Sequence, residues 1–287
     1  MNDDDGFNLS LAKIAIIGLG LMGGSLALAL RGKCSAIYGI DPDPNTRQLA
    51  ISQNIVDQVF EDPAEIISQA DVIVLAAPVL AIFSILSTLP EIMPNSCIVM
   101  DLGSTKVEIV RKMEELPARF DPIGGHPICG KERLSLENAD RTLYYAAPFL
   151  VTPIGRTTKK ALSAITQIID AIGAKLDILD ATEHDRILAL TSHLPYLLSS
   201  VLALTTPGSV APYIGPGFRS ASRLAGTSTS MMLGVILSNR ENLLVALENI
   251  QDELAVITSA LADKDAEALN STLQAAQAAY IKIIGSK

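Results

Sequence analysis

Three histidines are the side chains best suited to moving a proton near neutral pH: His126, His184 and His193. An unperturbed imidazole has a pKa of about 6.5, so it can accept a proton from a substrate hydroxyl. His126 lies in a Gly-Gly-His-Pro turn that follows a predicted strand. Because ligands of open α/β sheets bind beyond the carboxyl ends of the strands, we predict that His126 is a catalytic base. A turn histidine that bonds only to backbone is the alternative.

Two further segments carry groups that could bind a substrate. Ser104 and Lys106 follow a predicted strand in Asp-Leu-Gly-Ser-Thr-Lys, although helix capping by Ser104 explains this sequence equally well. Arg219 and Arg223 are a basic pair in an otherwise apolar stretch. Since arginine binds carboxylates through two parallel hydrogen bonds, we predict that Arg223 is an anion clamp. The alternative for both arginines is a position on the surface that serves only solubility, and this alternative is stronger for Arg219.

The other two histidines belong to one predicted helix. His193 lies in an apolar part of it, where a buried imidazole needs a hydrogen-bond partner. It is predicted either to be satisfied within the core or to line the substrate pocket. His184 and Asp185 open the same helix, and Asp185 is expected to cap the helix N-terminus.

A glycine motif of the GxGxxG form joins the first predicted strand to the first helix. Its residues are Gly18, Leu19, Gly20, Leu21, Met22 and Gly23. In this context Gly18 allows a tight turn, Gly20 lets backbone amides approach a pyrophosphate, and Gly23 lets the helix pack closely on the strand. The second strand ends at Asp41, where a carboxylate can bind a ribose 2′-hydroxyl. The motif predicts a dinucleotide site and Asp41 favours NAD, while the nearby Arg47 leaves NADP possible.

Alternating strands and helices must position these residues. Predicted strands cover Lys13 to Ile17, Ala36 to Ile40, Asp71 to Ala77, Cys97 to Asp101, Phe149 to Thr152 and Lys175 to Leu179. After Asp180 only helical patterns follow, including amphipathic helices over Asn239 to Asp263 and Asp265 to Ile284. We therefore predict an α/β fold with a Rossmann-like dinucleotide-binding domain over residues 1–180 and an all-α domain over residues 181–287 that builds the substrate pocket.

Charge and cysteine content narrow the class of protein. The net charge of −9 argues against a nucleic-acid partner, because phosphate binding needs clustered Lys and Arg. Cys34, Cys97 and Cys129 show neither a metal-binding spacing nor a disulfide framework, so we expect no metal and a reducing, cytoplasmic compartment. The segment Met1 to Asp5 is acidic where a secretory signal would be basic.

One long uncharged run, Ile187 to Phe218, raises the question of a membrane span. It contains His193 and four prolines, a pattern that a lipid-facing helix tolerates poorly. We interpret the run as a helix that is buried in a protein core or a subunit interface, with no membrane partner.

Taken in order, several segments resemble the prephenate/arogenate dehydrogenase family of tyrosine biosynthesis. They are GLGLMGGSLALAL, DLGSTK, GGHPICG, HDxxxxxxSHLP, GFRSASR and SNRENLL. The resemblance implies a homodimer with interlocking C-terminal helices, so that residues 181–287 would be a dimerisation domain. It also implies an oxidoreductase that uses NAD or NADP for the oxidative decarboxylation of prephenate, arogenate or both.

The resemblance also assigns roles to the residues discussed above. His126 matches the family's catalytic histidine, and Arg223 matches the arginine that binds a substrate carboxylate. Ser104 and His193 match other positions that line the pocket. Ser220 replaces an Asp that many relatives carry three residues before the arginine, which leaves the orientation of Arg223 open.

A β-hydroxyacid or ketopantoate-type reductase is the alternative enzyme. Those enzymes use a lysine on a helix of the second domain as acid and base. Within its helices that domain offers only Lys264 and Lys282, both in amphipathic C-terminal segments. The histidine-centred set of residues therefore favours the dehydrogenase.

Overall fold

The computed structural model describes residues 6–131 and 133–285. The chain divides into two compact units, Met1–Asn239 and Arg240–Lys287. The first unit holds every predicted site residue. The second, in its described part, consists of two helices.

An eight-stranded sheet forms the centre of the first unit, in the order β3-β2-β1-β4-β5-β6-β7-β8. Its strands are β1 (Lys13–Ile17), β2 (Ala36–Ile40), β3 (Gln58–Phe60), β4 (Val72–Leu75), β5 (Cys97–Asp101), β6 (Phe120–Pro127), β7 (Pro148–Pro153) and β8 (Lys175–Ile178). β1 to β6 pair in parallel, β7 is antiparallel to β6, and β8 is parallel to β7. The order 3-2-1-4-5-6 is that of the dinucleotide-binding Rossmann sheet, so the predicted fold class is confirmed.

Three features of the sheet differ from the prediction. β3 was not predicted, because Gln58–Phe60 is too short to show a pattern. The parallel pattern did not indicate that β7 runs antiparallel to β6. The predicted turn at Gly124 to Pro127 is wrong, since these residues are the last four of β6.

The helices of the first unit connect the strands and cover the sheet. They are α1 (Leu21–Leu30), α2 (Pro44–Ser52), α3 (Val79–Ile92), α4 (Val107–Glu114), α5 (Lys159–Ile172), α6 (Ala181–Leu188), α7 (Leu194–Thr205), α8 (Pro216–Ser222) and α9 (Thr229–Ser238). Local sequence explains several helix ends. Asp43 caps α2 ahead of its Pro44, and Thr158 caps α5. α5 is followed by its C-cap Gly173, whose φ of 74° suits glycine.

The inner strands β1, β2, β4 and β5 are buried on both faces, which is why they are continuous apolar runs. In β1 the side chains alternate between the two faces. Ile14 and Ile16 pack in one cluster with α1 and α5, whereas Ala15 and Ile17 pack in the other with α3. This aliphatic core fixes the sheet edge at which the site residues lie.

A helical stretch from Ala181 to Thr205 follows the sheet. It comprises α6, a π-helical turn at Ala189–His193 and α7. By length and composition alone it could cross a membrane, and 28% of its most apolar window is buried in this chain. Its N-terminal half, however, carries the buried polar residues His184, Asp185 and His193.

The second unit contains α10 (Arg240–Ala262) and α11 (Ala266–Ile284), close to the two predicted amphipathic helices. Asp265 begins α11 by accepting hydrogen bonds from the amides of Glu267 and Ala268. Many large apolar side chains of this unit are exposed in the single chain, among them Leu254, Val256, Leu273, Tyr280 and Ile284.

Candidate active site

A cavity of about 800 Å³ lies where the carboxyl ends of β5 and β6 meet the N-terminus of α1. It brings together five predicted residues: Leu21 and Met22 of the glycine motif, and Ser104, His126 and Arg223. Asp41 and His193 are not among the residues that line it. The cavity therefore joins the predicted cofactor loop to the predicted base and anion clamp.

The glycine motif has the geometry of a dinucleotide cradle. Gly18 has a φ of +97°, and a Cβ there would lie 2.5 Å from the Ala76 carbonyl oxygen. A Cβ on Gly23 would lie 1.9 Å from the Gly18 carbonyl oxygen. Only glycine fits at either position, and the backbone can therefore turn tightly into α1. A dinucleotide fits this site, because the helix N-terminus presents its amides and its positive dipole end to a phosphate.

One of these amides has a partner within the chain. The backbone N–H of Leu21 donates to the carbonyl oxygen of Leu134, 2.6 Å away. A Cβ on Gly20 would lie 3.0 Å from the same oxygen. The segment that includes Leu134 thus packs on the glycine loop, and Gly20 makes that close approach possible.

Asp41 connects the end of β2 to the glycine loop. Its Oδ2 accepts a hydrogen bond from the Leu19 amide at 2.8 Å. The Arg47 guanidinium donates hydrogen bonds to the carbonyl oxygens of Asp41 and Pro42 and to the carboxylate of Glu61, at 2.7–2.8 Å. The acidic side chain therefore lies beside the glycine loop, whereas the basic one is already paired.

His126 is the second-last residue of β6. It therefore lies at the carboxyl end of the strand, where the cavity is. Its backbone pairs with Leu150 of β7, and its side chain is half-buried at the cavity wall. The preceding Gly125 packs against β5: a Cβ there would lie 2.7 Å from the Asp101 carbonyl oxygen. The close strand pairing fixes the histidine rigidly.

A chain of buried polar groups leads away from His126. Its Nδ1 lies 2.9 Å from Nε2 of His184, and Nδ1 of His184 lies 2.8 Å from Oδ1 of Asp185. The two imidazole rings are tilted by 56°, with centroids 5.1 Å apart. His184 and Asp185 are fully buried.

Asp185 also organises α4 across the fold. Its Oδ1 accepts from the Lys106 amide at 2.7 Å and its Oδ2 from the Val107 amide at 2.9 Å. The prediction that Asp185 caps its own helix is wrong, because Asp180 caps α6 instead. Asp185 caps α4, so Ser104 is not needed as its cap and remains available to the cavity.

Lys106 does not reach the cavity, although its position in the sequence suggested a substrate contact. Its ammonium group is fully buried and pairs with Asp101. Asp101 also accepts hydrogen bonds from the amides of Gly103 and Gly125, at 2.8 and 3.2 Å. This ion pair lies under the base and joins the ends of β5 and β6.

Two histidines of the site, His126 and His193, favour the neutral form. Burial lowers the pKa of His126 well below its usual value near 6.5, and the neighbouring His184, Lys106 and His193 lower it further. Burial also lowers the pKa of His193 to about 4, although Asp185 opposes the shift. At pH 7 both imidazoles are therefore uncharged, as a proton acceptor must be.

His193 is buried behind the cavity rather than at its wall. Its Nδ1 accepts a hydrogen bond from the Asn239 amide at 3.1 Å, and Asn239 also donates to the Asp185 carbonyl oxygen at 2.7 Å. The imidazole also contacts the Ser104 backbone. It therefore supports the loop that carries Ser104.

The two predicted arginines differ in position. Arg223 lines the cavity, in the turn after α8. Arg219 lies one helical turn earlier and does not line it, although both arginines are exposed. Only the first is placed to meet a carboxylate in the cavity.

Residue patterns did not indicate the roles of His184, Asp101 and Asn239. The adjacent His-Asp pair at residues 184–185 was the one available signal, and it was interpreted as a cap. Among residues 6–131 and 133–285, no group of three or more His, Cys, Asp or Glu side chains is arranged to hold a metal ion.

Comparisons with known proteins agree with this geometry. A family model for the nucleotide-binding domain of prephenate dehydrogenase matches residues 26–178, and one for its dimerization domain matches residues 180–275. A cyclohexadienyl dehydrogenase from Zymomonas mobilis is 27% identical over 279 residues, which covers 94% of this chain and 95% of the relative.

Solved structures give the same result. The crystal structure of prephenate dehydrogenase from Aquifex aeolicus, in complex with hydroxyphenyl propionate and NAD⁺, has a TM-score of 0.87 and 28% identity and covers 96% of this chain and 100% of that one. Synechocystis arogenate dehydrogenase has a TM-score of 0.78 and 26% identity, and covers 94% and 99% of the two chains. As the motifs predicted, this chain belongs to the prephenate dehydrogenase family, with its nucleotide-binding and dimerisation domains.

Proposed function

We propose that this enzyme catalyses the NAD(P)-dependent oxidative decarboxylation of prephenate, arogenate or both, in tyrosine biosynthesis. The observation that carries the proposal is the shared cavity of about 800 Å³, in which His126 and Arg223 lie beside the N-terminal residues of α1. Family membership narrows the reaction that this arrangement serves.

His126 acts first as a base and then as an acid. Bound NAD(P)⁺ supplies the acceptor for the hydride that leaves the ring carbon bearing the hydroxyl. Nε2 of His126 takes the hydroxyl proton as the carbon–oxygen bond becomes a carbonyl. The ring carboxylate then leaves as carbon dioxide, its bonding electrons make the ring aromatic, and His126 returns the proton to the phenolic oxygen. No net proton is consumed, and the two-electron oxidation of the substrate is balanced by the reduction of NAD(P)⁺.

Other residues bind and orient the substrate. Arg223 pairs with a substrate carboxylate, since a guanidinium offers two parallel donors to it. The Ser104 hydroxyl bonds to a polar group of the substrate, and His193 supports it from behind. Leu19 and the glycines at 18, 20 and 23 shape the cofactor loop with Leu21 and Met22, and Asp41 binds the adenosine ribose.

The proposed function also assigns roles to the two domains of the chain. Residues 1–180 bind the dinucleotide and carry His126 and Ser104, and residues 181–287 complete the substrate site and form the homodimer interface. A second copy covers the apolar surface of Ala181–Thr205 rather than a membrane, because the dimerisation-domain model spans that stretch. The enzyme works in the cytoplasm, without a nucleic-acid partner.

The test is the formation of reduced nicotinamide by the purified protein, with prephenate and arogenate each combined with NAD and with NADP. We expect turnover in at least one of the four mixtures. In the variant His126→Asn, we expect the rate of turnover to fall about 10²-fold or more. The variant should still bind the dinucleotide, because the glycine loop is unchanged. If the folded protein binds NAD but turns over in none of the mixtures, the β-hydroxyacid reductase alternative replaces this proposal.

A further inference from the structure

We propose that His184 and Asp185 are positioning residues that hold His126 in the tautomer whose Nε2 is free to act as the base. This inference rests on the proposed function, because it concerns the same proton transfer. It assigns a role to two buried polar residues that do not line the cavity.

The direction of the hydrogen bonds follows from Asp185. Each of its carboxylate oxygens accepts a hydrogen bond from a backbone amide, those of Lys106 and Val107. Since a carboxylate only accepts, Nδ1 of His184 must donate to it across the 2.8 Å contact. In a neutral imidazole the other nitrogen is then an acceptor. In the proposed arrangement His184 is neutral, so its Nε2 presents a lone pair to His126.

The same logic fixes the second imidazole. Across the 2.9 Å contact, Nδ1 of His126 must donate to Nε2 of His184. The proton of neutral His126 is thus on Nδ1, and its Nε2 carries the lone pair. Because His126 lines the cavity while His184 is buried, the free nitrogen is available to the substrate side.

Asp185 makes this arrangement rigid. It is covalently next to His184 and is held by two amides at the start of α4, so the carboxylate cannot rotate without uncapping that helix. When His126 takes the substrate proton, the imidazolium donates through His184 towards a negative charge. The other charged and titratable groups that face His126 are Lys106, which is paired with Asp101, and His193.

The direct test is the tautomeric state of His126 in the full-length protein. The chain has only three histidines, so long-range ¹H–¹⁵N spectra of protein labelled in histidine can be assigned with the His126→Asn and His193→Asn variants. We expect the wild-type His126 signal to be that of the Nδ1–H form. A predominant Nε2–H form would overturn the proposal.

Two variants of His184 extend the test. His184→Leu removes the acceptor, and we expect a mixture of His126 tautomers and a fall in kcat of about 10²-fold, with little change in KM. His184→Gln keeps an acceptor oxygen near the position of Nε2, so it should retain the Nδ1–H form and most of kcat. Equal losses of kcat in both variants with an unchanged tautomer would show that His184 acts through packing, and would overturn the assignment.

The spectra separate this proposal from the proposed function. They need no substrate, so they report on the hydrogen-bond chain even if the protein turns over neither prephenate nor arogenate. Thermal unfolding and NAD binding of each variant identify any that fails to fold. In that case the wild-type tautomer alone decides.

Discussion

Asp41 and Leu19 are joined by a hydrogen bond of 2.8 Å from the Leu19 amide to the Asp41 carboxylate, although 22 residues separate them. The bond holds the end of β2 against the glycine loop. In the proposed complex the Asp41 carboxylate would face the adenosine ribose, and a 2′-phosphate there would be repelled.

We therefore expect Asp41→Asn to shift the cofactor preference from NAD towards NADP. The ratio of kcat/KM for NAD to that for NADP should fall about 10-fold or more, because a charged hydrogen bond contributes about 1.5–3 kcal/mol. The measurement is the steady-state rate with each cofactor. Arg47→Ala is the control, since Arg47 is paired with Glu61 and should leave the ratio unchanged. An unaltered ratio in Asp41→Asn would remove the assigned role.

Replacing Arg223 should mainly weaken substrate binding. We expect Arg223→Ala to raise the substrate KM about 10- to 100-fold, the loss of one charge-assisted contact, with a smaller change in kcat. Arg219→Ala is a matched control, because Arg219 is a nearby exposed arginine that does not line the cavity. Equal KM values in the two variants would contradict the clamp.

The buried ion pair between Asp101 and Lys106 should affect stability strongly. Lys106→Met leaves the carboxylate of Asp101 buried without its cation, and we expect it to lower the free energy of unfolding by about 3–5 kcal/mol. Adding Asp101→Asn removes the unpaired charge and keeps an acceptor for one of the two backbone amides, so the double variant should be more stable than Lys106→Met alone. Urea unfolding of the single and double variants measures both effects.

The buried His193 predicts how stability depends on pH. Its pKa is about 4 in the folded protein and near 6.5 when exposed. Between these values the unfolded chain binds more protons, so stability is lost as the pH falls from about 6.5 to about 4. Between pH 7 and pH 5 this one residue should lower the free energy of unfolding by about 2 kcal/mol.

Urea unfolding at pH 7 and pH 5 tests this dependence. His126 contributes in the same direction, since its pKa is also lowered. We therefore compare wild type with His193→Asn, which keeps a polar group but does not titrate. The variant should lose less stability between the two pH values. Equal losses would mean that His193 is not buried in its neutral form.

Much of the fold could be predicted because its signals are local. The strands Lys13–Ile17, Ala36–Ile40 and Cys97–Asp101 have the predicted bounds, since each is a short apolar run between turn residues. The glycine loop could be predicted because only glycine meets the steric limits of its tight backbone turn. Its close contacts at Gly18 and Gly23 leave no room for any other residue.

The hydrogen-bond chain behind His126 could not be predicted, because it depends on contacts between distant segments. His184 is 58 residues from His126, and Asp185 caps a helix that begins nearly 80 residues before it. Residue spacing indicates a cap within a helix but not one supplied by another element. The antiparallel pairing of β7 with β6 is likewise set by tertiary packing.

The π-helical turn at Ala189–His193 makes the number of residues in this part of the chain as important as their identity. The turn carries an extra residue, and two of its members, Thr191 and Ser192, line the cavity. Because the wide turn takes up the extra residue locally, deleting one residue would close it to an ordinary α-helical turn with little rotation of the helix beyond it. Tyr196, which also lines the cavity, would keep its place, whereas the Thr191 and Ser192 side chains would be displaced from the cavity wall. A single-residue deletion in this turn would therefore reshape the substrate cavity and leave the helix that follows in position.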